Sequence, residues 1–406
     1  MYMLSEDTPE LVSSGFDALS SAPLRRKIMI LATVLGPGVL LQAQTGSADG
    51  PTYGWSEDTH SPRPVPTNDR HDELLAGCSE GDAALAVVAR QLAARTISAD
   101  DSDAITRALR AAGNPHVWPR AFVLQGRRID PNEARARVAR WLASFEQPAR
   151  LRCASAFAEN GGQRSLAAVA VDARADLDPV PMRVRTASWV TVNAHALVHA
   201  RGAKVVVLAP TGVPRMLPTS FSEGQVLARG NVDQPGRWLF QVVLDTENGP
   251  RPALEALVFA GTEPRTELEC PARGEDAGPS TDEAASLTRM LGLARQSEGV
   301  PPLLRSGELD ALARAHADRM MRTRKLAHDV GNGDPRERAD QGLVAADEIG
   351  ENIAHTPTPA LAHRALWSSP SHRANILERR YGRLGIGVSR DPDGTLWVAE
   401  LFASPR

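Results

Sequence analysis

The spacing of apolar residues changes along this chain, and the change limits the folds that it can adopt. From residue 85 to about residue 144, apolar positions recur every three or four residues, as in Leu85, Val88 and Leu92, which predicts helices. Between residues 149 and 259 they come in short runs separated by turn residues, which predicts strands. After residue 281 both patterns occur. A chain of 406 residues with these patterns predicts a multidomain α+β protein.

Two polar stretches rich in Ser, Thr, Pro and Gly separate these regions and predict linkers. The predicted order is a signal peptide (1–45), a linker (46–70), an α+β domain (71–175), a β-sandwich (178–262), a second linker (263–280) and a C-terminal domain (281–404).

The middle of the chain is predicted to form strands. The runs 149–158 and 164–172 flank Asn160, Gly161 and Gly162, which tolerate the positive φ of a hairpin turn and close the first, otherwise helical, domain. The later runs have the spacing of an all-β sandwich, and we expect an immunoglobulin-like layout.

The N-terminal region predicts export. Arg25, Arg26 and Lys27 precede an apolar run at 28–41, and Ala43 offers a cleavage site, as in a signal peptide. The run is too short, and too broken by glycine and proline, for a stable membrane span. The predicted location is secreted or periplasmic, and a retained anchor is the alternative.

The cysteines predict a disulfide, and the net charge limits the kinds of partner that the protein can bind. Of the three cysteines, Cys78 and Cys153 fall in one predicted domain and Cys270 in a linker, so we expect a Cys78–Cys153 disulfide if the chain is exported. Three reduced thiols are the alternative. The 46 basic and 49 acidic residues give a net charge of −3, which argues against a nucleic-acid partner.

A pattern of an aromatic-ended helix followed by a hairpin occurs twice, at Trp141 and at Trp367. At the position that corresponds to His372, the first copy has Glu146. One hypothesis is a degenerate duplication of the C-terminal domain, and the other is a chance similarity of two α+β domains.

The C-terminal domain carries an ordered set of motifs. They are Leu326-Ala327-His328, Gly350-Glu351-Asn352-Ile353-Ala354, the segment 367–377 with Trp367, His372 and Asn375, and Gly385-Ile386-Gly387. This set resembles the CAP superfamily of cysteine-rich secretory, antigen-five and pathogenesis-related proteins (SCP-like), in its disulfide-poor bacterial branch. The resemblance covers roughly the last 120 residues.

The resemblance implies a three-layer α-β-α sandwich with a cleft lined by two histidines and two acidic residues. His328, Glu351 and His372 match three of these positions, whereas 368–370 offers no acidic residue for the fourth. Glu400, on the last predicted strand, is a further candidate for the cleft.

Two imidazoles and a carboxylate are ligand types that Zn²⁺ prefers, so His328, Glu351 and His372 form a candidate zinc site with a position open for water. Without the resemblance, a single histidine in a helix-rich domain is more often a hydrogen-bonded structural residue than a ligand. We expect Ser371 to be a helix N-cap rather than a nucleophile, His316 to lie in the core, and His355 and His363 to be solvated.

These features predict a secreted protein that binds an apolar or amphipathic ligand, or a cell-envelope partner, without catalysis. Lipid binding enters only through the eukaryotic members that the resemblance brings in. One alternative is a metal- or histidine-dependent hydrolase of peptide or envelope polymer. Another is an adhesion or scaffold protein in which the β-sandwich is a spacer.

Overall fold

The computed structural model describes residues 59–61, 64–65, 74–145, 148–264, 272–276, 278 and 282–405. The predicted signal peptide, Glu146 and Cys270 lie outside the described residues.

The N-terminal segment (residues 74–172) forms a sheet with helices on both faces. The first elements of the chain are β1 (Thr59–His60), β2 (Pro64–Val65), β3 (Glu80–Asp82), α1 (Ala83–Ala93), α2 (Ser102–Ala111), β4 (Arg120–Gly126), α3 (Pro131–Leu142), β5 (Leu151–Asn160) and β6 (Gln163–Asp172). The strand order is β2-β3-β5-β6-β4. Helices α1 and α2 share a core with alternate residues of β5 and β6, and α3 packs on the opposite face.

Strand β4 lies in a region whose apolar spacing predicted only helices. Its burial is intermediate along most of its length, so it has no strict alternation of buried and exposed residues. The predicted hairpin is present, and Gly161 and Gly162 both adopt positive φ in its turn.

The central sandwich (residues 175–260) consists of two sheets around one core. Its strands are β7 (Ala175–Leu177), β8 (Val180–Pro181), β9 (Arg183–Val184), β10 (Ser188–Ala196), β11 (Gly202–Leu208), β12 (Arg215–Leu217), β13 (Thr219–Ser222), β14 (Gln225–Val232), β15 (Gly236–Thr246) and β16 (Gly249–Ala260). The sheet orders are β13-β14-β10-β7 and β12-β11-β15-β16-β9. Val190 and Val192 from the first sheet and Trp238 and Phe240 from the second belong to the same apolar cluster.

The C-terminal segment (residues 282–405) is a three-layer α-β-α sandwich, as the family resemblance implied. Its elements are α4 (Glu283–Ser297), β17 (Leu304–Arg305), α5 (Gly307–Thr323), α6 (Pro335–Gln341), β18 (Ile349–Thr356), α7 (Pro359–Ser368), α8 (Pro370–Leu377), β19 (Arg383–Arg390) and β20 (Leu396–Ala403). The strand order is β17-β19-β20-β18, so β18 is an edge strand. Helix α5 covers one face of the sheet, and α4, α7 and α8 cover the other.

Two glycines allow α5 to lie directly on the sheet. A Cβ at Gly385 would lie 2.1 Å from the carbonyl carbon of Leu309, and one at Gly387 would lie 2.2 Å from that of Ala313. Any larger residue would therefore push the helix away, and with it the loop that follows the helix.

The N-terminal and C-terminal sheets share one topology. Strands β3, β5, β6 and β4 occur in the same spatial order as β17, β19, β20 and β18. The first neighbouring pair is parallel in both sheets, and the other two pairs are antiparallel in both. This correspondence includes the two hairpins that suggested a repeat in the sequence.

All described residues belong to one compact unit, Gly50–Arg406. Within the described part of the chain, no helix combines the length and apolarity that crossing a membrane requires.

Candidate functional site

Glu351 is the centre of a buried ion cluster at the edge of the C-terminal sheet. It lies on β18, and its Oε1 accepts a hydrogen bond of 2.8 Å from Nδ1 of His328, in the loop between α5 and α6. Its Oε2 pairs with the guanidinium of Arg338 on α6. The same guanidinium donates to the backbone carbonyls of His328 and Gly333, both at 2.6 Å. Arg338 therefore holds both the carboxylate and the loop that carries His328.

The electrostatic balance of this cluster keeps Glu351 ionised. Burial alone would raise the pKa of its carboxyl group. The hydrogen bond from His328 and the positive charge of Arg338 outweigh that effect and lower the pKa to about 2.

His316 adds a second imidazole beneath the cluster. It is fully buried on α5, as predicted for a core histidine, and its Nε2 lies 3.1 Å from the carbonyl oxygen of Ala327. The same nitrogen is 3.7 Å from Oε1 of Glu351. Sequence reasoning assigned His316 to the core alone and did not identify Arg338.

His372 occupies the first turn of α8. Its Nδ1 is 2.8 Å from Oγ of Ser369, which is the residue at the N-cap position, rather than Ser371 as predicted. Burial lowers the pKa of His372 to about 3, and the nearby charges of His328 and Lys204 act in the same direction. With its pKa lowered this far by burial, His372 is neutral at physiological pH.

Glu400 lies on the other face of the sheet from Glu351. It pairs in register with Asn352, the residue after Glu351, and consecutive strand residues point to opposite faces. Asn352 Nδ2 donates to Glu400 Oε2 at 3.1 Å and to the carbonyl of His372 at 3.2 Å. Glu400 thus contacts the site only through Asn352, and not through His328 or Glu351.

The candidate zinc ligands do not present three free donor atoms. Both oxygens of Glu351 and Nδ1 of His328 are engaged with each other or with Arg338. Over the described ranges, no three His, Cys, Asp or Glu residues are grouped in a way that could hold a metal ion. Zinc binding at His328, Glu351 and His372 remains a prediction.

The other residues singled out from the sequence have definite places. Cys78 and Cys153 form a disulfide, with Cα atoms 6.0 Å apart. His363, predicted to be solvated, is fully buried, and its Nε2 lies 2.8 Å from the carbonyl of Arg273. His355 is exposed, as predicted, and stacks on Trp397 at 4.0 Å between ring centroids.

A surface depression of about 790 Å³ opens beside the loop that follows His328. Its lining consists of Asp329, Gly331, Asn332, Gly333, Glu337, Asp340 and Gln341.

Part of this chain is similar to known proteins. Residues 289–401 match the model of the cysteine-rich secretory protein family, CAP. Over 171 residues, the chain is 26% identical to the uncharacterized protein YkwD of Bacillus subtilis; the match covers 40% of this chain and 65% of that protein's length.

Two solved structures are similar at low sequence identity. One is an extracellular protein containing a SCP domain from Bacillus anthracis (14% identity, TM-score 0.29), and the match covers 66% of this chain and 92% of that one. The other is a cysteine-rich secretory protein from Staphylococcus aureus (14% identity, TM-score 0.26), with 66% and 90% covered.

Proposed function

Because this chain carries a C-terminal domain of the CAP family, at residues 289–401, we propose that it is an exported binding protein whose cleft, formed by His328, Glu351 and His372, holds a cell-envelope component without catalysis. The observation that carries the proposal is the state of Glu351. Its two oxygens are already bonded to His328 and Arg338, so a metal ion or a substrate proton would have to compete with these two partners for the carboxylate.

The chemistry of the surroundings favours a polar partner over an apolar one. The side chains that line the depression beside the His328 loop are polar or charged, as at Asp329 and Glu337. An apolar or amphipathic small molecule, such as a lipid, remains the alternative ligand. Export is part of the proposal, and the basic-then-apolar N-terminal sequence supports it.

Copurification tests the proposal directly. The secreted protein and a His372→Ala variant would be purified in parallel, and the small molecules and envelope fragments that they carry would be identified by mass spectrometry. We expect a polar envelope fragment that is enriched in the wild type. An identical set of molecules from both proteins would contradict binding at this cleft.

One observation favours a hydrolase as the second candidate. Ser369 Oγ lies 2.8 Å from Nδ1 of His372, the arrangement of a nucleophile and a base, and Gln241 donates to the same oxygen at 3.0 Å. The low pKa of His372, about 3, makes it a weak base, and this supports binding over hydrolysis. Covalent labelling of Ser369 by an active-site-directed fluorophosphonate, absent in Ser369→Ala, would favour the hydrolase.

We also propose an immunoglobulin-like layout for the central sandwich. In an immunoglobulin fold, one sheet contains the first, second, fifth and fourth strands in that spatial order. The four-stranded sheet here has the same order when β7, β10, β14 and β13 are taken as those strands.

A further proposal concerns the N-terminal segment. We propose that it is a degenerate copy of the C-terminal segment, since their sheets share one topology.

A further inference from the structure

A turn of the central sandwich lies against the loop that carries His328. The turn joins β15 to β16, and the backbone oxygen of Asn248 accepts from the backbone N–H groups of His328 (3.2 Å) and Asp329 (3.3 Å). The side-chain oxygen of Asn248 accepts from Nζ of Lys325 at 2.5 Å. Asn248 therefore accepts three hydrogen bonds from the loop that carries His328.

Gly249 completes this contact and fits only as glycine. Its φ is +96°, and a Cβ at this position would lie 2.7 Å from the Cβ of His328. The turn thus approaches His328 closely, and His328 is only 9% exposed.

The same sheet also contacts the His372 side of the cleft. Gln241 on β15 donates to Oγ of Ser369 and accepts from the backbone N–H of Ser371, both at 3.0 Å. Helix α8, which carries His372, packs against β11 and β15. One sheet of the sandwich therefore lies over both histidines.

The hydrogen bonds of this contact join polar groups of the sandwich to polar groups of the C-terminal segment. The apolar core of the central sandwich and the two apolar clusters of the C-terminal segment are separate among the described residues. Polar interfaces between parts of one chain resemble transient protein interfaces and allow relative motion. The sandwich can therefore separate from the cleft without exposing a shared apolar core.

From these contacts we infer that the central sandwich is an autoinhibitory cover of the C-terminal cleft, with the Asn248–Gly249 turn as its resident occupant. The inference rests on the proposed binding function. A ligand that displaces the turn must offer acceptors to the donors that Asn248 leaves, namely two backbone N–H groups and Lys325. Its chemical class is therefore one with carboxylate or amide oxygens, such as a peptide.

Accessibility of His328 tests the cover in the full-length protein without any ligand. The probe is diethyl pyrocarbonate, which modifies neutral imidazoles, and mass spectrometry would compare the labelling rate of His328 with that of exposed His199 in the same molecule. Gly249→Ala forces the turn away from His328. We expect the labelling rate of His328 in this variant to rise by roughly tenfold, because the added methyl group is overpacked in the closed state and favours the open one.

Gly212→Ala is the matched control. Gly212 belongs to the same sandwich and also has positive φ, +92°, but nothing lies within 4 Å of a Cβ there. We expect His328 labelling in Gly212→Ala to equal that of the wild type. Equal labelling rates of His328 in all three proteins, or equal increases in both variants, would overturn the inference that the sandwich covers the cleft.

A second variant keeps the test decisive if Gly249→Ala fails to fold. Lys325→Met removes only the contact with the Asn248 side chain, and we expect about a threefold increase in His328 labelling; no increase would overturn the inference. Because labelling needs no ligand, its failure leaves the binding proposal intact. A protein that opens as expected but carries no envelope fragment would instead overturn the binding proposal.

Discussion

Two buried glutamates on neighbouring strands of one sheet have opposite ionisation behaviour. Glu351 on β18 points to the face covered by α5 and has a pKa of about 2. Glu400 on β20 points to the opposite face, and burial raises its pKa to about 7, against the smaller opposing effect of the hydrogen bond from Asn352. Burial acts in the same direction on both, so the partners of each carboxyl group decide the outcome.

The partners differ in charge. Glu351 has the guanidinium of Arg338 and the N–H of His328, whereas Glu400 has one amide, and its Oε1 has no hydrogen-bond partner in the described part of the chain. The lowered pKa of Glu351 contributes stability above pH 4.5 that is lost as the pH falls towards about 2. The raised pKa of Glu400 does the reverse, and stability is lost as the pH rises from 4.5 through about 7.

Arg338→Met would break the comparison by removing the charged partner of Glu351. A buried ionised carboxylate that has lost its charged partner and keeps only the hydrogen bond from His328 is strongly destabilising, so we expect a loss of about 3–5 kcal/mol in the free energy of unfolding at pH 7. Urea denaturation measures this loss.

Arg314→Met is the control for Arg338→Met. Arg314 lies on α5 and forms a surface ion pair with Asp318, one turn further along that helix. Its loss should cost less than about 1 kcal/mol. Equal losses in the two variants would show that the buried charge is not the cause.

Glu400→Gln tests the other side of the comparison. Glutamine has the shape of the protonated acid but cannot ionise, so it removes the cost of deprotonating Glu400 above pH 7. The shift from 4.5 to about 7 corresponds to roughly 3 kcal/mol, and we expect a gain of up to that size at pH 8 but little change at pH 4.

Thermal unfolding at several pH values measures the gain from Glu400→Gln. Exposed Glu308 on α5 supplies the control, and Glu308→Gln should change stability little at any pH. A gain that is the same at pH 4 and pH 8 would mean that ionisation of Glu400 is not its origin.

Asn352→Ala should have a smaller effect, because it removes hydrogen bonds and no charge. Asn352 donates to Glu400 and to the carbonyl of His372, and losing these bonds should cost about 1–2 kcal/mol. Its bond to Glu400 also lowers that group's pKa, so in Asn352→Ala the decline of stability that begins near pH 4.5 should extend to a pH above about 7. An unchanged midpoint in the pH profile of stability would show that Asn352 does not act on Glu400.

The sequence predicted part of this arrangement. The motifs brought His328, Glu351 and His372 together as candidates, and His328 and Glu351 are hydrogen bonded. Arg338 could not be identified from the sequence, because arginine is abundant throughout the chain. It lies near the start of a helix, and nothing in the neighbouring residues indicates that its side chain is buried.

The location of Glu351 in a strand was not predicted. Gly350 and Asn352, which flank Glu351, are of residue types that favour turns. They lie instead on edge strand β18, whose pairing partner β20 is far along the chain. Local propensity could not reveal that pairing, nor that one residue of register separates the environments of Glu351 and Glu400.

The contact between the central sandwich and the cleft was equally inaccessible to sequence reasoning. Asn248 and Gly249 have the composition of an ordinary hairpin turn, and their contacts with Lys325 and His328 join residues more than 70 positions apart. The repeat of helix and hairpin, by contrast, was visible because each copy is local. Contacts within one supersecondary unit leave a periodic pattern, whereas contacts between units do not.

Zinc titration gives the smallest expected effect and sharpens the comparison most directly. For Zn²⁺ to reach Glu351, it must compete with Arg338 and His328 for the carboxylate oxygens. We therefore expect calorimetry at pH 7 to give a dissociation constant weaker than about 100 µM for the wild type, and weaker still for His372→Ala. Arg338→Met frees one oxygen of Glu351 and should bind Zn²⁺ more tightly than the wild type, provided that it remains folded. Tight binding by the wild type would mean that Arg338 does not hold the carboxylate, and the difference between Glu351 and Glu400 would then need another explanation.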